Sequence, residues 1–375
     1  MVAPVTLAGA TTITSPNGVA AREVRILGPR KVLDLAGHML LPGLINAHDH
    51  LEFNLFPRLG SRRYGNAGEW ARDIYHPSRS PVREQLRVPK PVRLWWGGLK
   101  NLLSGVTTVC HHNPYEPAVF DSSYPVRVVR RFAWAHSLEF EPDVAARYRG
   151  TPPDYPFLVH CGEGTDAHAR EEIRTLDSIG ALGRRTVIIH GVGLDHQLEL
   201  MRRCGAALVW CPTSNLLMLG RTVARDILRS GIPIALGTDS AVSAPVDLLD
   251  ELMVARRYLP TERLFEMVTT APAKILRLGP RHLASDWVAV RSEERTPIKA
   301  LVKGSVALVV SRGRIRLIAP SLARQLPVDL VRGFQPLTLE GRETVLVDAD
   351  VRGLTRSAAK RLGSILRLAG KRILG

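Results

Sequence analysis

Residues 41–50 read LPGLINAHDH. A Pro-Gly turn leads through Leu44 and Ile45 into His48-Asp49-His50, the pattern of a short buried strand that ends in two histidines one residue apart. Side chains alternate faces along a strand, so His48 and His50 project together and Asp49 points the other way. Two imidazoles converging from one strand end can grip a single metal ion.

Outward from that stretch, residues 5–40 are rich in Thr, Val and Gly. They read as small strands joined by turns at Pro16-Asn17-Gly18 and Gly28-Pro29. Similar runs return at Asp286–Val290 and Ser305–Val310, so the two chain ends are expected to pair into one β subdomain. Between them, apolar runs at 106–110, 126–133, 157–160, 186–190, 206–210 and 233–236 alternate with helical patterns such as 169–179, 195–203 and 247–258. This alternation predicts a parallel sheet with crossover helices. The expected organisation is 1–40 with 281–320 as a composite β subdomain, 41–280 as the main module and 321–375 as a basic extension.

The polar residues decide between an open and a closed sheet. His50, His160, His190 and Asp239 each sit at or just past the end of an apolar run. In a (β/α)8 TIM-type barrel those ends share one face, and that face carries the chemistry. Glu163 follows His160 by three residues, which places a carboxylate beside the imidazole at the barrel mouth. Residues 57–95, rich in Arg, Pro, Tyr and Trp, form a long insertion that either hangs over the mouth or is a plain surface loop. Only about 25 residues separate the run at 126–133 from the strand ending at His160. The fourth strand is therefore either cramped into 145–155 or missing with one βα unit, leaving the barrel irregular.

The ordered set PGLINAHDH, GVTTV (105–109), HCGEG (160–164), HG (190–191), CPTSN (211–215), GTDS (237–240) and TTAPAKILRLG (269–279) resembles the amidohydrolase superfamily. The resemblance spans about residues 20 to 320 and is to the mononuclear branch, with its cytosine, guanine and adenosyl-type deaminases and triazine hydrolases. It implies that His48, His50, His160 and Asp239 ligate one Zn2+ or Fe2+, with Glu163 and His190 as catalysts. Imidazole and carboxylate suit both metals. Such an ion lowers the pKa of a bound water from about 16 to about 7. Asp239 would accept that water's proton and His190 would hydrogen-bond the water or the developing oxyanion. Glu163 would shuttle a proton, work typically worth about 10²–10⁴-fold. Binuclear relatives commonly bridge two ions with a carboxylated lysine. No lysine lies between Lys100 and Lys274, and Glu139 has no motif behind it as a substitute bridge, so one ion is expected. His111, His112, Glu52 and Ser240 are the candidate substrate contacts. Cys161 is expected to face away, and CPTSN to shape the pocket.

The four cysteines show no C-x-x-C pairing, which fits reduced thiols in a cytoplasm. No run of 18 apolar residues is present, and residues 1–18 do not read as a secretory signal. The balance of 51 Lys+Arg against 35 Asp+Glu leaves a formal charge of +16. Seven basic and no acidic residues follow Val351, where Leu354, Ala358, Leu362, Ile365, Ala369 and Ile373 predict an amphipathic basic helix. That helix is expected to dock on the protein itself or to touch an anionic membrane peripherally. The expected partner is a small molecule, with nucleic acid not expected and a homo-oligomer left open. The reading is a cytoplasmic metal-dependent hydrolase of a C–N bond in a ring-bearing or amidine-like molecule, a deaminase in its favoured form. Its rivals are a cyclic-amide or halide hydrolase on the same site, and a non-catalytic binding protein with a decayed hydrolase fold.

Overall fold

The computed structural model describes residues 5–15, 18–20, 24–26, 31–195, 197–279 and 285–374. The turns expected at Pro16-Asn17 and Gly28-Pro29 lie outside the described residues. Eight short segments carry the candidate site: β1 (Leu44–Asp49), β2 (Val106–His111), β3 (Arg127–Val128), β4 (Ala133–Ser137), β5 (Phe157–Cys161), β6 (Thr186–His190), β7 (Ala207–Trp210) and β8 (Ile234–Leu236). β1 to β3 form one parallel sheet and β4 to β8 a second, each in chain order. β1, β2 and β5 to β8 are buried along their whole length, as expected of parallel strands covered on both faces. Ile45, Cys110, Leu158, Val187, Ile189, Val209 and Ala235 meet in one apolar cluster. The residues between them, including Val159, Ile188, Leu208 and Ile234, join the larger core.

The two sheets meet at both edges. The amides of Thr238 and Asp239, just past β8, donate to the His48 carbonyl of β1 at 2.9 and 3.2 Å. Gly237 permits this approach, because a Cβ there would stand 2.8 Å from that of His48. At the other junction only residues 129–132 separate β3 from β4. The amide of Val129 still bonds Val109 of β2, whereas that of Ala133 already bonds Pro156, next to β5. One extended run thus changes partner midway, and no helix intervenes. The strand expected over 126–133 is split and displaced forward. The alternative of a strand within 145–155 is overturned, because Val144–Gly150 is a helix built on alanine and arginine, good helix formers.

A ten-stranded sheet packs against this framework. His38–Pro42 pairs antiparallel with Trp287–Arg291, bringing the two ends of the chain together. The sheet does not stop near residue 320, because Val345–Val347 pairs with Arg314–Ile318, and Gln335–Leu339 with Val345–Val347. The expected C-terminal helix exists only as Val351–Leu362, with Asp350 capping it by accepting the Gly353 amide. Gly363, at φ +81°, ends it. Arg367–Leu368 and Lys371–Leu374 then form a hairpin whose last strand pairs with Gln335–Leu339. Backbone pairing has overridden the helical apolar period. The helix itself packs on the helices Lys90–Leu103 and Val82–Arg87 and buries Val351 and Ala358.

Asp49 turns away from His48 and His50, as alternation requires. Its Oδ2 meets Lys100 Nζ at 2.9 Å with both side chains fully buried. Asn101 and Asn54 donate to the same carboxylate at 2.7 and 2.8 Å. Lys100 also bonds the hydroxyl of Thr238, so this network clamps β1 to the residues after β8. Removing one partner of a buried ion pair strands the other. Lys100→Met is expected to lower unfolding free energy by about 3–5 kcal/mol in urea titrations; a loss under about 1 kcal/mol would refute the clamp.

Candidate metal centre and hydrolytic site

Alternation alone does not aim the first histidines. Ile45 and Ala47 face the inner cluster, yet His48 faces inward too. A register irregularity between Asn46 and Asp49 absorbs the extra residue and re-aims the strand end. His190 needs a different device. It follows the inward Ile189, so regular pleating would send it outward. Its φ of +73° turns it back, and Asp239 is likewise left-handed at +56°. Non-glycine residues rarely adopt this conformation, and two of them meet at one site.

The result is a compact donor set. His48, His160, His190 and Asp239 each offer a ligand atom, all within 4.8 Å of one another, and this group could hold one metal ion. The Nε2 atoms of His48 and His50 both lie 3.6 Å from Asp239 Oδ1. His48 and His160 face each other Nε2 to Nε2 at 3.3 Å. His190, expected only as a catalyst, thus joins the tight group, with His50 beside it. His190 Nε2 lies 3.3 Å from Glu163 Oε1 but is not aligned for a hydrogen bond, so this buried nitrogen lacks a hydrogen-bond partner among the described residues.

The surroundings set the protonation states. Burial lowers His48 to about 3, against the pull of Asp239, and lowers His160 and His190 as well. Neutral imidazoles are what a metal requires. His160 Nδ1 donates to the His136 carbonyl at 2.7 Å and His190 Nδ1 to Asn215 Oδ1 at 2.9 Å, leaving each Nε2 with a free lone pair. Burial pushes Asp239 up, but its close contacts with the His48, His190 and His50 imidazoles outweigh this and hold the carboxyl far below its usual range. Ser214 donates to its Oδ2 at 2.7 Å and Ser243 donates to the same oxygen. Glu163 is raised well above the usual carboxylate range by burial and then by Asp239 and Glu172, which favours its protonated form. The donor types and these lone pairs fit a divalent ion.

A cavity of about 430 Å3 opens onto the site. Phe53, Phe56, Trp70, Ile74, Tyr75 and Phe140 form its apolar wall, and His50, His136, Glu163, Asp239 and Ser240 its polar end. Trp70 and Ile74 stand on the helix Ala67–Ile74, so the 57–95 insertion does build the mouth. Of the four expected substrate contacts, Ser240 alone lines this cavity. His111 is buried 3.5 Å from Glu52 and accepts the Leu51 amide, and His112 is buried behind His48. Burial raises the Cys161 thiol, consistent with no nucleophilic role. Glu139 pairs with Arg72, outside the donor set. CPTSN does not line the cavity: Ser214 and Asn215 orient Asp239 and His190 from behind. His136 was missed, although it too ends an apolar run, because that run was closed at Ala133.

Comparison with known proteins agrees with this geometry. Residues 154–281 match the amidohydrolase family model. A 5-methylthioadenosine/S-adenosylhomocysteine deaminase of Syntrophobacter fumaroxidans is 25% identical over 334 residues, 70% of this chain and 73% of that protein. A 5'-deoxyadenosine deaminase of Methanobrevibacter smithii is 24% identical over 276 residues, 60% and 62% of the two chains. An adenosine deaminase structure from Xanthomonas campestris with bound zinc superimposes with a TM-score of 0.70 at 17% identity, covering 95% of this chain and 97% of that one. An atrazine chlorohydrolase from Arthrobacter aurescens complexed with zinc gives 0.66 at 17%, covering 95% and 99%. The chain shares its α/β fold with these structures, and residues 154–281 carry the amidohydrolase-family match. It is a metal-dependent hydrolase of the amidohydrolase type. No helix among the described residues is long and apolar enough to cross a membrane.

Glu172, on the helix Ala167–Ser178, accepts the Gly162 amide at 2.5 Å and braces the turn between His160 and Glu163. Burial raises its carboxyl from 4.5 to about 7, the Gly162 bond pulling it back. A folded value above the unfolded one means stability present below pH 4.5 and lost as pH climbs through about 7. Glu172→Gln should remove that part of the pH dependence, on the order of 2 kcal/mol, in urea unfolding compared at about pH 5 and about pH 8.

Proposed function

We propose that the chain hydrolyses a C–N bond of a ring-bearing or amidine-like small molecule, releasing ammonia. The observation that carries this reading is Glu163, a largely buried carboxyl 3.3 Å from His190 Nε2, at the edge of the imidazole–carboxylate cluster and in the cavity wall, whose surroundings favour its protonated form. The deaminase names of the sequence relatives point the same way. His48, His50, His160 and Asp239 would hold one Zn2+ or Fe2+, and such an ion would supply the Lewis acidity that makes water nucleophilic at neutral pH. His190 has its Nδ1 proton committed to Asn215, so its Nε2 lone pair accepts from the attacking water and orients it. Asp239, with Oδ2 held by Ser214 and Ser243, takes a proton through Oδ1. Glu163 delivers its proton to the ring nitrogen or the departing amine.

The aromatic wall formed by Phe53, Trp70 and Phe140 suits a flat ring with an apolar substituent. Cyclic-amide or halide hydrolysis would use the same residues, since the attacking water does not select the leaving group. The Val351–Leu362 helix buries Val351 and Ala358 against its own neighbours, which favours docking within the fold over contact with an anionic membrane.

Glu163→Gln should keep bound metal at the parental stoichiometry and cut ammonia release by roughly 100-fold or more; undiminished turnover would refute the proton role. A screen of purines, pyrimidines, triazines and guanidino compounds for ammonia, run beside metal analysis, separates deamination from the other leaving groups. Parent protein holding only traces of metal would favour the binding-protein rival.

A further inference from the structure

β2 and β4 are not joined by backbone pairing. β2 bonds β3 and then Val129, and β4 bonds β5. The ring of His112, the residue after β2, spans this place. Its Nε2 lies 3.1 Å from the Ala135 carbonyl on β4, and its Nδ1 lies 3.2 Å from Nδ1 of His48. The ring is fully buried, stacked on His160 at 4.6 Å and edge-on to Trp134 at 5.2 Å, and among the described residues no carboxylate bonds it.

Donor and acceptor rules then leave one arrangement. A carbonyl only accepts, so the His112 proton resides on Nε2. A neutral imidazole carries one N–H, so His112 Nδ1 is a bare acceptor. The proton in the contact between the two Nδ1 atoms therefore belongs to His48. His48 Nε2 is left as a lone pair, 3.3 Å from His160 Nε2 and 3.6 Å from Asp239 Oδ1.

We propose that His112 is a positioning residue that locks His48 into the Nδ1-protonated tautomer and so presents its Nε2 to the metal, using the Ala135 carbonyl on β4 as its anchor. The inference rests on the metal-site reading above. Ala135 is the fixed point, His112 transmits its orientation and His48 is the output. The other imidazoles of the tight group draw on different anchors, the His136 carbonyl and Asn215. Loss of His112 therefore releases His48 alone.

The test measures zinc affinity of the full-length protein by competition with a chromophoric chelator. His112→Phe keeps the ring volume and removes both hydrogen bonds; it should bind zinc about 10–100-fold more weakly. His112→Asn, whose amide oxygen falls near the original Nδ1, should recover most of that loss. A folded His112→Phe protein with parental zinc affinity overturns the proposal while leaving the metal site standing. A parent chain that takes up no zinc overturns both. Should the Phe variant not fold, imidazole 15N spectra of the zinc-loaded parent decide: a proton on His48 Nδ1 coupled to His112 is expected, and a proton on His48 Nε2 overturns the assignment.

Discussion

Two amides, those of Thr238 and Asp239, share the carbonyl of His48, and this shared acceptor is what the site depends on. It brings residues about 190 positions apart into one row, so that a carboxylate from the last strand end faces imidazoles from the first. The clamp behind it is polar and dry. Lys100, Asn101 and Asn54 all bond the Asp49 carboxylate out of reach of solvent and Lys100 also bonds Thr238, so loss of Lys100 or Asp49 would leave the other charge unpaired. An apolar filling would hold the strands together but would not fix their register.

On the open side of that row the chemistry is set by withholding protons. Imidazoles packed around one carboxylate repel one another when charged, and burial denies them water, so they stay neutral. Glu163, a few ångströms away, is driven toward its own neutral form by the same burial and by the charge of Asp239. One environment thus favours the neutral form of the imidazoles and of Glu163 alike. The left-handed backbone at His190 and Asp239 is the conformational cost of the arrangement.

Much of this was legible in the sequence because it is local. Strand-end histidines and the aspartate announce themselves by the apolar runs before them, and His48, His160, His190 and Asp239 do converge. What was not legible depends on contacts between distant segments. The irregularity that re-aims His48, the φ that turns His190 inward and the bonds from Ser214, Asn215 and Ser243 have no signature in spacing. His136 was hidden by a strand boundary placed a few residues early, at the one point where the chain changes partner. The tail misled for a related reason: its helical apolar period continues past Gly363, while the free edge of Gln335–Leu339 recruits those residues as a strand.

The insertion near the mouth is fastened to the site by its own backbone. The Ala67 amide donates to the carbonyl of Glu163, the Thr165 amide donates to Gly65, and Asn66 bridges Gly164. The same helix supplies Trp70, Ala71 and Ile74 to the cavity wall. The Trp70 helix and the Glu163 backbone are therefore one hydrogen-bonded piece, so any displacement of that helix would be felt at Glu163 on the other side of the cavity.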